Sequence, residues 1–281
     1  MTARVCLVGN SHLGALKRGW DLIEHEYPTV LVDMFGAPGR AFGGIVVEEG
    51  KVQTTERKAA ASFLATGGRE EIILADYDLI VVVGGSMWLY QMANLLKSHC
   101  PPFMNIWLDP VGDSVLNADQ SAQLKRFYRK KSPISVSDAL LRELMRAKTR
   151  QSQAIKITDG IAANCRVPVL HVPAPFPSSE IVDTMPKNII AKLVKMGMSS
   201  VFVDLIWDAL DHVLRDKAEI VQPPDHVIVS GLFTEKSYAE GGLRLDENRG
   251  EHDDENIGHM NGQYGIEIMR LVLDRIPRGK V

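Results

Sequence analysis

Five consecutive apolar residues, Leu79-Ile80-Val81-Val82-Val83, do most to limit the folds open to this 281-residue chain. Asp78 precedes them and Gly84-Gly85-Ser86 follows, so the run reads as a strand with a sharp boundary at each end. A strand without polar alternation has both faces covered, which is the setting of a central strand in a parallel sheet. Parallel strands need crossover connections, and segments of helical periodicity do alternate with further β-forming runs. The other main strands are expected at Val5-Cys6-Leu7-Val8, at 29–35 and at 167–172, and helices at 87–97, 120–129, 138–148, 189–196, 201–214 and 266–275. Residues 45–47 and 51–54 read as a small hairpin outside the main sheet, 56–65 as a short helix and 105–108 as a short strand. This order specifies an α/β fold with a mostly parallel sheet and right-handed crossovers. No linker divides the chain, so residues 1–281 read as one domain, with 178–250 as an elaboration over the site.

Composition removes several function classes. A net charge of −3 offers no electrostatic basis for binding nucleic acid or an anionic membrane. No apolar run reaches the roughly 18 residues of a transmembrane helix. Met1-Thr2-Ala3-Arg4 leads straight into a core strand, so no signal peptide is expected. Cys6, Cys100 and Cys165 are scattered and odd in number, which suits reduced thiols and a cytoplasmic location. Neither a Walker-type phosphate loop nor a GxGxxG turn follows the first strand, and no Cys/His spacing suits zinc. No cofactor and no metal are therefore expected. His252-Asp253-Asp254 reads as part of a solvated acidic loop, 235–255, rather than as a metal cluster.

Chemistry concentrates at Gly9-Asn10-Ser11-His12-Leu13-Gly14, where the first strand gives way to a helix. A serine at such a turn serves as a nucleophile, as part of an anion site beside the free N–H groups of the helix start, or as a helix cap. In an open parallel sheet the loops at the carboxyl ends of the strands gather on one edge. Ser11, Gly39 in the loop after the second strand, and Ser86 after the third are thus expected as neighbours. A serine hydroxyl needs a base to take its proton, and the tetrahedral intermediate needs N–H donors for its oxyanion. His259, in a polar turn before the last helix, is the best placed of the eight histidines to be that base. Asn10 and His12 flank Ser11 as supporting residues, and Asn261 is expected to fix the last turn. His171, within an apolar strand, reads as a core histidine.

Taken in order along the chain, these blocks resemble the SGNH (GDSL-like) hydrolase superfamily. Its Gly-x-Ser block is matched by Gly9-Asn10-Ser11, and its second-block glycine by Gly39 in Gly36-Ala37-Pro38-Gly39. Its Gly-x-Asn block is here Gly84-Gly85-Ser86, so Ser86 stands where the family has asparagine. Its Asp-x-x-His block is matched by Asn256-Ile257-Gly258-His259, followed by Met260-Asn261-Gly262-Gln263-Tyr264-Gly265, so Asn256 replaces the family's aspartate. The resemblance implies a three-layer α/β/α sandwich with a flavodoxin-like sheet, and an esterase-type hydrolase acting through an acyl-enzyme on Ser11. It further implies His259 as general base, with Ser11, Gly39 and Ser86 forming the oxyanion hole. In serine proteases an aspartate-to-asparagine change at the third catalytic position costs about 10⁴ in rate. A neighbouring acid, with Asp254 the first choice ahead of Asp253 and Glu255, is expected to take that place. The substrate is then a small-molecule or carbohydrate ester, most simply an O-acetyl or other short-chain ester. An acyltransferase on the same scaffold and a non-catalytic binding module are the alternatives.

Overall fold

The computed structural model describes residues 2–85, 88–100, 117–131, 134–242 and 258–277. Its central sheet has five strands: β1 (Ala3–Gly9), β2 (Val30–Gly36), β3 (Leu79–Gly84), β4 (Val169–Pro173) and β5 (Glu219–Ile220). They lie in the order β2-β1-β3-β4-β5, and every neighbouring pair is parallel. This is the flavodoxin-like doubly wound order, whose topological switch point falls between β1 and β3. Gly9, the last residue of β1, pairs with Gly36 on one side and Val83 on the other, so three strands finish side by side.

Both faces of the sheet are buried, as the unbroken apolar run of β3 requires. On one face Ala3, Val5, Leu7, Leu79, Val81, Val83, Leu170 and Val172 pack beneath α1 (Leu13–Ile23) and the final helix, α4 (Gly262–Leu273). On the other, Cys6, Val8, Phe35, Ile80, Val82 and Val169 pack beneath α2 (Arg57–Gly67) and α3 (Gln153–Asn164), which contribute Ala59, Phe63, Ile157 and Ile161. A further apolar cluster joins the helices Trp88–Ser98, Ala118–Lys131, Asp138–Arg150, Ile189–Lys195 and Ser199–Leu214. Ser137 caps Asp138–Arg150 by accepting from the Leu140 N–H at 3.2 Å. Strands Ile45–Glu48, Lys51–Thr54 and Ile72–Ile73 form a separate antiparallel sheet that begins with the expected hairpin.

The crossing of α1 with α4 sets the distance between the two ends of the chain. Gly19 and Gly265 face each other there: a Cβ on Gly19 would lie 2.3 Å from the Gly265 carbonyl carbon, and a Cβ on Gly265 only 1.8 Å from the Ala15 oxygen. Side chains at either position would push the helices apart, so the backbones meet because both residues are glycine. Ser11 lies two residues before the start of α1 and His259 three before the start of α4, and this crossing brings their turns to the same sheet edge.

Three of the differences from the sequence expectation bear on the central sheet and the helices that cover it. Helix α3 lies where no element was expected; Ala154, Ile155, Ile157, Thr158 and Ile161 form its buried stripe. The last helix starts at Gly262 rather than at 266, so Tyr264 and Gly265 are helical and buried. Two glycines in its first turn, each a poor helix former, disguise that start. The edge strand β5 is only two residues long, too short to show an alternating pattern. The expected strand at 105–108 lies outside the described residues.

Candidate active site

The turn after β1 is built by its own backbone. The Asn10 carbonyl accepts from the Leu13 N–H at 3.0 Å, the Ser11 carbonyl from the Gly14 N–H at 3.1 Å, and Asn10 Oδ1 from the His12 N–H at 3.2 Å. Asn10 is buried, and Gly84 at the end of β3 comes up against it: a Cβ on Gly84 would lie 2.2 Å from Asn10 Oδ1. Gly84 also has φ +86, so its lack of a side chain serves both the close approach and the left-handed backbone.

Serine is a preferred helix cap, but Ser11 is not used that way. The cap position of α1 is His12, and no side chain caps the helix. The Ser11 hydroxyl instead lies 2.9 Å from His259 Nε2, a contact between residues 248 positions apart in the chain. Neither the Ser11 N–H nor the Gly39 N–H makes a hydrogen bond among the described residues. Gly39 opens the turn after β2 with φ +54, is exposed, and has open space where a side chain would stand. The Ala37 N–H donates to the Gly9 carbonyl at 3.0 Å, which ties that loop to the end of β1.

His259 is held from two directions. Its ring stacks on His12, with centroids 5.1 Å apart and planes inclined by 27°. Behind it, Asn261 caps α4 by accepting from the Gln263 and Tyr264 N–H groups at 3.0 and 3.2 Å. The Asn261 amide donates to the Ser237 and Glu240 carbonyls at 2.7 and 2.9 Å, so one side chain fastens the segment 237–240 to the turn carrying His259.

Two other titratable groups are shaped by burial alone. His171 on β4 points to the α2–α3 face with Val169, and desolvation lowers its pKa to about 4, so it is a neutral core histidine. Its Nδ1 has no hydrogen-bond partner. Tyr264 on α4 is 3% exposed, and burial pushes its phenol well above the usual range.

The structure thus brings together Ser11, His259, His12, Asn10 and Asn261, and sets Gly39 on the adjoining strand end. Ser86, Asp254 and Asn256 lie outside the described residues, as do His252, Asp253 and Glu255. Among the described residues no group of three or more His, Cys, Asp and Glu is placed to hold a metal ion. Sequence reasoning missed the stacking role of His12 and the part played by Gly19 and Gly265. The available signal was the pairing of small residues within both helices, Gly14 and Gly19 in α1 and Gly262 and Gly265 in α4.

No protein-family model matches the sequence, and no curated protein matches it. Among solved structures the chain is similar to an extracellular lipase from Streptomyces rimosus, at 12% identity and a TM-score of 0.46, over 98% of this chain and 100% of that one.

Proposed function

We propose that this protein is a serine ester hydrolase of the SGNH type, working through an acyl-enzyme on Ser11. The observation that carries the reading is the 2.9 Å contact between Ser11 Oγ and His259 Nε2, at the carboxyl edge of a parallel sheet. His259 Nε2 takes the hydroxyl proton as Oγ attacks the ester carbonyl carbon. The oxyanion that forms is met by the Ser11 and Gly39 N–H groups, with the Ser86 hydroxyl as a third donor. The carbon–oxygen bond to the alcohol then breaks, and the proton passes from His259 to the departing alcohol oxygen. Water attacks the acyl-enzyme, gives its proton to His259, and releases the acid while Ser11 recovers its proton. Asp254 is the proposed carboxylate behind His259, Asn256 standing where the superfamily carries aspartate.

The reading needs no cofactor and takes a short-chain ester, such as an O-acetylated small molecule or sugar, as substrate. The scattered thiols favour a reducing, cytoplasmic compartment. Among the described residues no helix is long and apolar enough to cross a membrane. Hydrolysis of 4-nitrophenyl acetate tests the reading. Ser11→Ala should reduce turnover by at least about 10³-fold, the scale seen when a nucleophile is removed from such a unit. Full turnover in folded Ser11→Ala protein overturns it.

A further inference from the structure

Residues 234–242 pack on the turn that carries His259, and they are fastened along their whole length. At the start, the Thr234 N–H donates to the Pro177 carbonyl at 3.0 Å and the Ser179 N–H donates to the Thr234 carbonyl at 3.1 Å. Two residues on, the Lys236 ammonium pairs with Glu180 at 3.0 Å. In the middle, the Asn261 N–H donates to the Tyr238 carbonyl at 2.8 Å, beside the two bonds from the Asn261 amide to Ser237 and Glu240. The Tyr238 ring meets the Tyr264 ring edge to face, with centroids 6.5 Å apart.

The far end is Gly242, which is buried. A Cβ there would lie 2.7 Å from the His259 oxygen, 3.1 Å from the His259 carbonyl carbon and 3.4 Å from the His259 Cβ. The φ of Gly242 lies outside the left-handed region, so conformation does not require glycine here. Space does. A carbon rests about 3.3 Å or more from a carbonyl oxygen, and the obstacle is backbone, which has no rotamer to yield. Gly242 therefore packs its bare α-carbon against the peptide of the histidine whose Nε2 lies 2.9 Å from Ser11 Oγ.

We propose that residues 234–242 form a strap that positions the catalytic base, with Gly242 as the positioning residue. The proposal rests on the Ser–His hydrolase reading, which makes His259 the base. Thr234, Lys236 and Asn261 hold the strap in place, and the absence of a side chain at Gly242 sets where the His259 backbone sits. Gly242 carries no reacting group and acts through His259. An alanine there needs about 0.6 Å more room, and with the strap pinned that shift falls on the His259 turn. A displacement near 1 Å costs roughly 10²-fold in rate, so a loss of about tenfold is expected.

The test is a double-mutant cycle. Gly242→Ala should lower kcat for 4-nitrophenyl acetate roughly tenfold and change KM by less than about twofold. In a His259→Ala background the same substitution should change the residual rate by less than about twofold, because the group it acts through is gone. A merely structural role would lower both backgrounds alike. Asn261→Asp, which keeps the helix cap and releases the two side-chain bonds to the strap, should show the same dependence on His259, and it keeps the claim testable if Gly242→Ala does not fold. An unchanged kcat in folded Gly242→Ala protein, or equal losses with and without His259, overturns the assignment. An NMR measurement separates this claim from the hydrolase reading. The His259 ring Cε1–H signal should differ between wild-type and Ser11→Ala protein, since the contact with the hydroxyl is lost. Gly242→Ala should move that signal most of the way to its Ser11→Ala position, and should leave it nearly in place when Ser11 is already alanine. If this pattern holds while the wild type hydrolyses no ester, the strap stands and the hydrolase reading falls. If esters are hydrolysed and neither Gly242→Ala nor Asn261→Asp lowers kcat, the strap assignment falls alone.

Discussion

Replacing Gly265 with alanine should damage both stability and catalysis from a position that touches no substrate. The added Cβ would lie 1.8 Å from the Ala15 oxygen, 2.6 Å from the Ala15 carbonyl carbon and 3.1 Å from the Gly19 nitrogen. A carbon rests about 3.3 Å or more from a carbonyl oxygen, so α1 and α4 must separate by about 1.5 Å. The obstacle is backbone on both sides, and no flexible side-chain end can yield. Overpacking of this kind costs about 1–3 kcal/mol, and a backbone clash between two buried helices belongs at the upper end. Alanine's better helix propensity offsets up to about 1 kcal/mol, leaving a net loss of about 2 kcal/mol. For a chain of this size that corresponds to a fall in Tm of roughly 4–8 °C. The same separation would stretch the 2.9 Å Ser11–His259 contact, and a displacement near 1 Å costs roughly 10²-fold in rate. Thermal unfolding followed by circular dichroism, with the rate of 4-nitrophenyl acetate hydrolysis, reads both effects. Gly43→Ala, where a side chain meets nothing within 4 Å, serves as the control. A Gly265→Ala protein with wild-type Tm and rate would refute the idea that this crossing positions the pair.

Three other substitutions probe separate parts of the account. His171 has a folded-state pKa of about 4, below its unfolded value near 6.5, so the unfolded chain binds its proton first. Its stabilising contribution is complete above about pH 6.5 and is lost as pH falls toward 4, amounting to about 3 kcal/mol. Urea midpoints measured from pH 7.5 to 4.5 should show this decline in the wild type and lose that component in His171→Phe. Asn261→Ala removes a helix cap and two donations to the segment 237–240, for an expected loss of about 2 kcal/mol in denaturant unfolding. Asn261→Asp keeps the cap but not the donations, and should recover about half of that. His12→Ala should lower kcat/KM roughly three- to tenfold by removing the ring on which His259 stacks, and His12→Phe should restore most of it.

What could be read from the sequence follows the range of the forces involved. Strand β3 was legible because burial on two faces leaves an unbroken apolar run, and β1 because it ends in a sharp polar turn. Helix α3 was not, since Thr158 and Gly160 interrupt its apolar stripe and no strong breaker frames it. The start of α4 was hidden because its stability comes from the Asn261 cap and from contact with α1, and neither appears as local helix propensity. The pairing of Ser11 with His259 came from the base that a serine nucleophile needs and from resemblance to a family pattern, because no local periodicity links residues 248 positions apart. The stack of His12 on His259 arises where two distant turns meet, and the residue types alone do not specify it.

The central claim is that His259 activates Ser11, and intact-mass analysis after brief exposure to a fluorophosphonate addresses it most directly. One adduct per chain is expected, mapped to Ser11, absent from Ser11→Ala and strongly slowed in His259→Ala. An adduct on another residue, or labelling of Ser11 at an unchanged rate in folded His259→Ala protein, would contradict the account.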